Sequence, residues 1–140
     1  MAQLSEHIST DEYKCHCCGK LPPQFRDNDG ILPCYRTLFD TFEAIRAMWQ
    51  KPLIVTSGYR CPEHNAAVGG AALSPHVFGL AMDLKVESFD EARLLAYAAK
   101  QTGLPMRLGY KKYSVPTFHF DVAHLIYPSP SEFFKPGCEW

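Results

Sequence analysis

Two short runs constrain this chain more than any other feature: Ala81-Met82-Asp83-Leu84-Lys85-Val86 and Phe118-His119-Phe120-Asp121-Val122. In an extended strand successive side chains point to opposite faces, so Met82, Leu84 and Val86 share one face and Ala81, Asp83 and Lys85 the other. The second run is built alike, with Phe118, Phe120 and Val122 on the apolar face and His119 and Asp121 opposite. Aspartate is depleted in mid-strand, so Asp83 is expected to have a partner that rewards it. The pattern predicts a sheet packed on one side that presents two carboxylates and an imidazole on the other. His76 stands seven residues before Asp83, across a turn containing Gly79, and can fold back onto it.

The rest of the chain supplies what such a sheet needs. Leu38, Phe42, Ile45 and Trp49 recur at helical spacing, with Phe39 and Met48 widening the stripe, and predict an amphipathic helix over Tyr35–Trp49 with Pro33 in its first turn. Leu53–Thr56 reads as a short buried strand, and residues 57–79, rich in glycine and small residues, as a long irregular connection. A strand follows at 81–86. Ser88 and Glu91 form a capping box for a second helix, which runs to about Thr102 and stops at Gly103 and Pro105. Further strands are predicted at about 106–109 and 117–122, and a loop tail holds at most one short turn near Glu132–Phe134. Two main helices and about four strands predict an α+β domain with a small mixed or antiparallel sheet. The expectation is one domain over residues 1–140, with a turn-rich, cysteine-containing segment, 1–34, packed on it.

Composition excludes some functions. A net charge of -1 leaves no basic excess to displace counterions, so a nucleic-acid partner is not expected. No apolar run approaches the roughly 18 residues of a membrane span, and the start shows no secretory signal, so synthesis in the cytoplasm is expected. The six cysteines, three of them in Lys14-Cys15-His16-Cys17-Cys18-Gly19, are then expected to be reduced. A second, structural metal at this cluster, with Cys34 sixteen residues after Cys18, is an alternative to packing or surface thiols, although the spacing fits no common finger pattern.

His76, Asp83 and His119 together would make a His₂Asp set, a catalytic-zinc complement that leaves one position open. Singly, each has a plainer reading: a lone histidine is more often a surface or core residue than a ligand, and an aspartate on a strand can simply cap a turn. The motifs around them add weight. Ser57-Gly58-Tyr59-Arg60, N-x-x-V-G-G at 65–70, S-x-H-x-x-G-x-A-x-D at 74–83 and F-H-F-D-V at 118–122 follow in order. Over about residues 35–122 the chain resembles the D-alanyl-D-alanine carboxypeptidase family of zinc peptidases, and most closely its short branch of bacterial wall hydrolases and phage endolysins. That family shares its fold with the amino-terminal domain of Hedgehog proteins.

The resemblance implies one zinc ion held by His76, Asp83 and a histidine of the last strand. Strand parity and the F-H-F-D-V match favour His119 over His124. The family's usual acid three residues before that ligand is absent, because Pro116 stands there. Asp121 is therefore the candidate general base, with orientation of His119 as its alternative role. Arg60 resembles the arginine that contacts substrate or oxyanion, its alternative being a structural salt bridge, and Ser74 either touches substrate or caps the turn before His76. Gly69 and Gly70 are expected to let the backbone approach a peptide. Tyr59 and Asn65 read as scaffold, and His7, His16 and His64 as surface residues. The implied activity is hydrolysis of D-amino-acid-containing peptide bonds in peptidoglycan stem peptides, at the cell wall, by a monomer. The alternative is a metal-binding module of the same fold without activity.

Overall fold

The computed structural model describes residues 2–71, 74–125 and 135–140. The N-terminal stretch folds into small pieces, as its turn residues require. Strands β1 (Gln3–Ser5) and β2 (Ile8–Ser9) pair antiparallel. A one-turn helix, α1 (Thr10–Tyr13), follows under a capping box between Ser9 and Glu12. Strands β3 (Arg26–Asp27) and β4 (Gly30–Ile31) close a second hairpin over Asn28-Asp29. Leu4, Ile8, Tyr13, Cys15 and Phe25 from this stretch are buried in the main core.

Helix α2 spans Pro33–Trp49, with proline at its first position and Gln50 in the left-handed conformation closing it. Its stripe of Tyr35, Leu38, Phe39, Phe42 and Ile45 is buried, each apolar side chain contributing roughly 2 kcal/mol. Met48 does not extend the stripe as expected; it is 51 % exposed, one residue short of the next inward position. Strand β5 (Val55–Ser57) is shorter than the expected run and half-exposed rather than buried. It lies at the sheet edge, so Val55 packs inward while Ile54 faces solvent. The expected irregular connection holds a short helix, α3 (Pro62–Ala67), capped by Cys61 with proline at its first position. Strand β6 (Ala81–Leu84), helix α4 (Phe89–Gln101), strand β7 (Arg107–Gly109) and strand β8 (Phe118–Asp121) complete the order. Ser88 caps α4 by accepting the Glu91 N–H at 3.0 Å. The turn expected near Glu132–Phe134 lies outside the described residues.

Strands β5, β6, β8 and β7 form one antiparallel sheet in that order, so the described residues make a mixed α+β structure with small antiparallel sheets. Met82, Leu84, Phe118, Phe120 and Leu108 bury one face of this sheet, and α2 and α4 pack together in the same core. The tail returns along β7: Leu108 donates to the Cys138 carbonyl at 3.0 Å, and Trp140 donates back to Leu108 at 3.0 Å. No described helix is long and apolar enough to cross a membrane.

Candidate metal centre

The register of β6 against β8 puts Asp83 directly opposite His119, and Ala81 opposite Asp121. Cross-strand partners on one face come within about 5 Å, so the alternation read from the two runs becomes a contact. Asp83 Oδ1 lies 2.9 Å from His119 Nδ1. His76 arrives from the turn before β6, where Gly79 N–H donates to the His76 carbonyl at 3.1 Å and Leu80 N–H to Pro75 at 3.0 Å. Its Nε2 stands 3.2 Å from the same Asp83 oxygen, while Nδ1 is 2.7 Å from the Gly58 carbonyl. One ligand atom from each of the three residues lies within 4.8 Å of the others.

The donor pattern fits a cation. A carbonyl only accepts, so His76 Nδ1 donates to Gly58, and Nε2 is the ring nitrogen turned toward the Asp83 oxygen. His119 is held between two carboxylates, with Nε2 2.6 Å from Asp121 and Nδ1 facing Asp83. Two imidazole nitrogens and a carboxylate thus converge with acceptor character toward one point, which a metal ion or a proton must occupy. Burial opposes charge on His119, but hydrogen bonds to Asp121 and Asp83 outweigh it and hold its pKa at about 9 without metal. Burial likewise pushes Asp83 up, and the charge of His76 and the hydrogen bonds from both histidines reverse that, keeping it well below the usual carboxylate range.

A proton count follows. Below pH 9 a metal must displace the His119 proton from Nδ1, so zinc binding at pH 7 is expected to release about one proton. Affinity should therefore rise by about tenfold per pH unit up to roughly pH 9 and level off above it. Titration calorimetry in buffers of different ionisation enthalpy reads the release directly. A proton count of zero at pH 7 would contradict the arrangement.

Behind His119 lies a support that sequence reading missed. Arg107 Nε and Nη2 donate to the two oxygens of Asp121, each at 2.9 Å, and both residues are fully buried. Asp121 also accepts the Ala123 N–H at 3.2 Å. With both oxygens occupied and no exposure, Asp121 stands against the His119 ring and does not line the adjoining pocket. Trp140 covers the arrangement: its ring is 5.3 Å from His119 and 4.7 Å from the Arg107 guanidinium carbon. Gly109, opposite His119 in the register, makes this cover feasible, because a Cβ there would come within 2.7 Å of the indole.

The pocket has a volume of about 380 Å³, and its polar lining is Arg60, Ser74, His76, Asp83, Arg107, Tyr113 and His119. Arg60 is anchored by its backbone, whose N–H donates to the His76 carbonyl at 3.0 Å. Its Nη2 donates to Ser74 Oγ at 3.4 Å, and no acid among the described residues forms the salt bridge considered for it. Ser74 Oγ also accepts the His76 N–H at 3.3 Å, so Ser74 caps this turn while bordering the pocket. Tyr113 was not foreseen; its hydroxyl accepts from Trp140 Nε1 at 3.2 Å, and burial pushes its pKa up, so it stays a donor at neutral pH. Gly70 and Ala71 bring backbone to the rim. Tyr59 and Asn65 are buried, and the Asn65 amide holds the Ala71 carbonyl at 2.8 Å. His124 sits in the 3-10 turn Ala123–Leu125, outside the group of His76, Asp83 and His119. His7 departs from its surface assignment: it is half-buried, with Nδ1 2.6 Å from Glu43.

Comparison with curated protein sequences finds no match. A family model described as Peptidase M15 matches residues 5–119, which takes in α1, α2, α3 and the strands that carry Asp83 and His119. With most of its length matched, the chain belongs to the Peptidase M15 family of zinc metallopeptidases.

Proposed function

We propose that this protein hydrolyses D-amino-acid-containing peptide bonds of peptidoglycan stem peptides, as a D,D-carboxypeptidase or a wall endopeptidase. The observation that carries this reading is the convergence of His76, Asp83 and His119 in a pocket that Arg60 also lines. His76, Asp83 and His119 would hold a zinc ion, which would supply Lewis acidity and activate water at neutral pH. Arg60 and Tyr113 are the donors placed to hold a substrate carboxylate or a developing oxyanion, as the planar guanidinium suits either through paired hydrogen bonds. Asp121 and Arg107 hold the His119 ring in one orientation and keep its Nε2 protonated. Asp83 is the one carboxylate that lines the pocket among the described residues, so no separate acid is placed there to take a proton from water.

That last observation also favours a second reading, a metal-binding module of the same fold that does not cut. Digestion of purified peptidoglycan, with the products resolved by mass spectrometry, separates the two. Release of D-alanine or of shortened stem peptides, abolished by chelator and restored by zinc, is the expected result. Intact muropeptides with a zinc-loaded protein would overturn the hydrolase reading and leave the module.

A further inference from the structure

A second group of metal-ligating side chains stands apart from this pocket. Cys15, Cys18 and Cys61 each present a sulfur, and the three atoms lie within 4.8 Å of one another. They are brought together by chain elements of different origin. Cys15 and Cys18 flank a tight turn in which Gly19 N–H donates to the Cys15 carbonyl at 2.8 Å and Cys15 N–H to the Lys20 carbonyl at 2.9 Å. Gly19 adopts φ 71°, a left-handed conformation that ends the turn without strain. Cys61 comes from the start of α3. Cys34, the partner considered from sequence, is on α2 and is not in the group.

The surroundings suit thiolates. The Cys61 N–H donates to Cys15 Sγ at 3.3 Å, and the His64 N–H donates to Cys61 Sγ at 3.4 Å. As thiolates, three sulfurs gathered this closely repel one another unless a cation joins them. Soft thiolate sets of this kind select zinc among the common divalent ions.

We propose that Cys15, Cys18 and Cys61 bind a structural zinc ion that staples the N-terminal segment to the loop carrying Gly58 and Arg60. The staple acts on the pocket through short connections. Arg60 directly precedes Cys61, and Tyr59 N–H donates to the Tyr13 carbonyl at 2.8 Å, two residues before Cys15. Gly58, whose carbonyl fixes the His76 ring, sits in the same loop.

Alkylation of the full chain tests this without relying on activity, and Cys17 and Cys18, both exposed, supply an internal comparison. In the Asp83→Asn variant, which isolates this site, Cys18 is expected to react about tenfold more slowly than Cys17 and to match it after chelation. The same variant should retain about one zinc per chain against two in the wild type, and its cobalt derivative should show a sulfur-to-metal charge-transfer band. Equal labelling of Cys17 and Cys18 before chelation would overturn the proposal. So would a zinc-free Asp83→Asn protein, or a Cys15–Cys61 disulfide that reductant opens and chelator does not.

Discussion

Asp83→Asn is expected to remove one zinc per chain and to lower hydrolysis of muropeptides at least a thousandfold, about 4 kcal/mol of transition-state stabilisation. The size of the effect follows from position. A single oxygen of Asp83 is shared by His76 at 3.2 Å and His119 at 2.9 Å, so this carboxylate is the hub of the group. Asparagine keeps the shape but supplies neither the charge nor the anionic donor, and two neutral imidazoles alone hold a divalent ion weakly. The fold should survive, because the pairing of β6 with β5 and β8 is made by backbone and the side chain is partly exposed rather than in the core. Metal analysis, muropeptide turnover and a melting curve on the same preparation check the three statements. An Asp83→Asn protein with full metal content and more than about a tenth of the activity would refute the assignment.

Much of this hub was legible in the sequence because its determinants are local. The parity of β6 and β8 decides which faces carry Asp83, His119 and Asp121, and the apolar residues between them decide which face is buried. The stripe of α2 is equally local, and only Met48, at the edge of the arc, misleads. Helix α3 escaped because six residues span fewer than two turns, too few for a periodic signal, although Cys61-Pro62 is an ordinary helix start. Arg107 escaped for a different reason. Its parity opposite Met106 and Leu108 was visible, but its pairing with Asp121 depends on the register of β7 against β8, which the intervening connection does not fix. Trp140 is more remote still, and its one local hint is Gly109, a glycine within a strand where another group comes close. The gathering of Cys61 with Cys15 and Cys18 depends on packing between residues forty-six apart in the chain, which sequence spacing does not reveal; the sequence reading considered Cys34 instead.

The Arg107–Asp121 pair yields the largest expected change in stability. Arg107→Met removes the partner of a carboxylate that has no access to water, leaving Asp121 with the His119 ring and one backbone N–H. Breaking a buried pair from one side costs about 3–5 kcal/mol where the remaining charge is left unpaired, and the protonated His119 ring still facing Asp121 puts this case toward the lower end. For a chain of 140 residues that corresponds to a fall in Tm of roughly 10–15 °C, measurable by calorimetry on the metal-free protein. Removing the charge as well, in Arg107→Met with Asp121→Asn, should recover a large part of that loss, since two uncharged groups are cheaper to bury than one orphaned ion. Zinc affinity should not recover with it. Asparagine no longer holds His119 as a carboxylate does, and loss of such support weakens metal binding by about 10–100-fold. A double variant that regained stability and metal affinity together would show that Asp121 serves the sheet alone. Stability regained with affinity still lost would show that the buried pair exists to aim the imidazole.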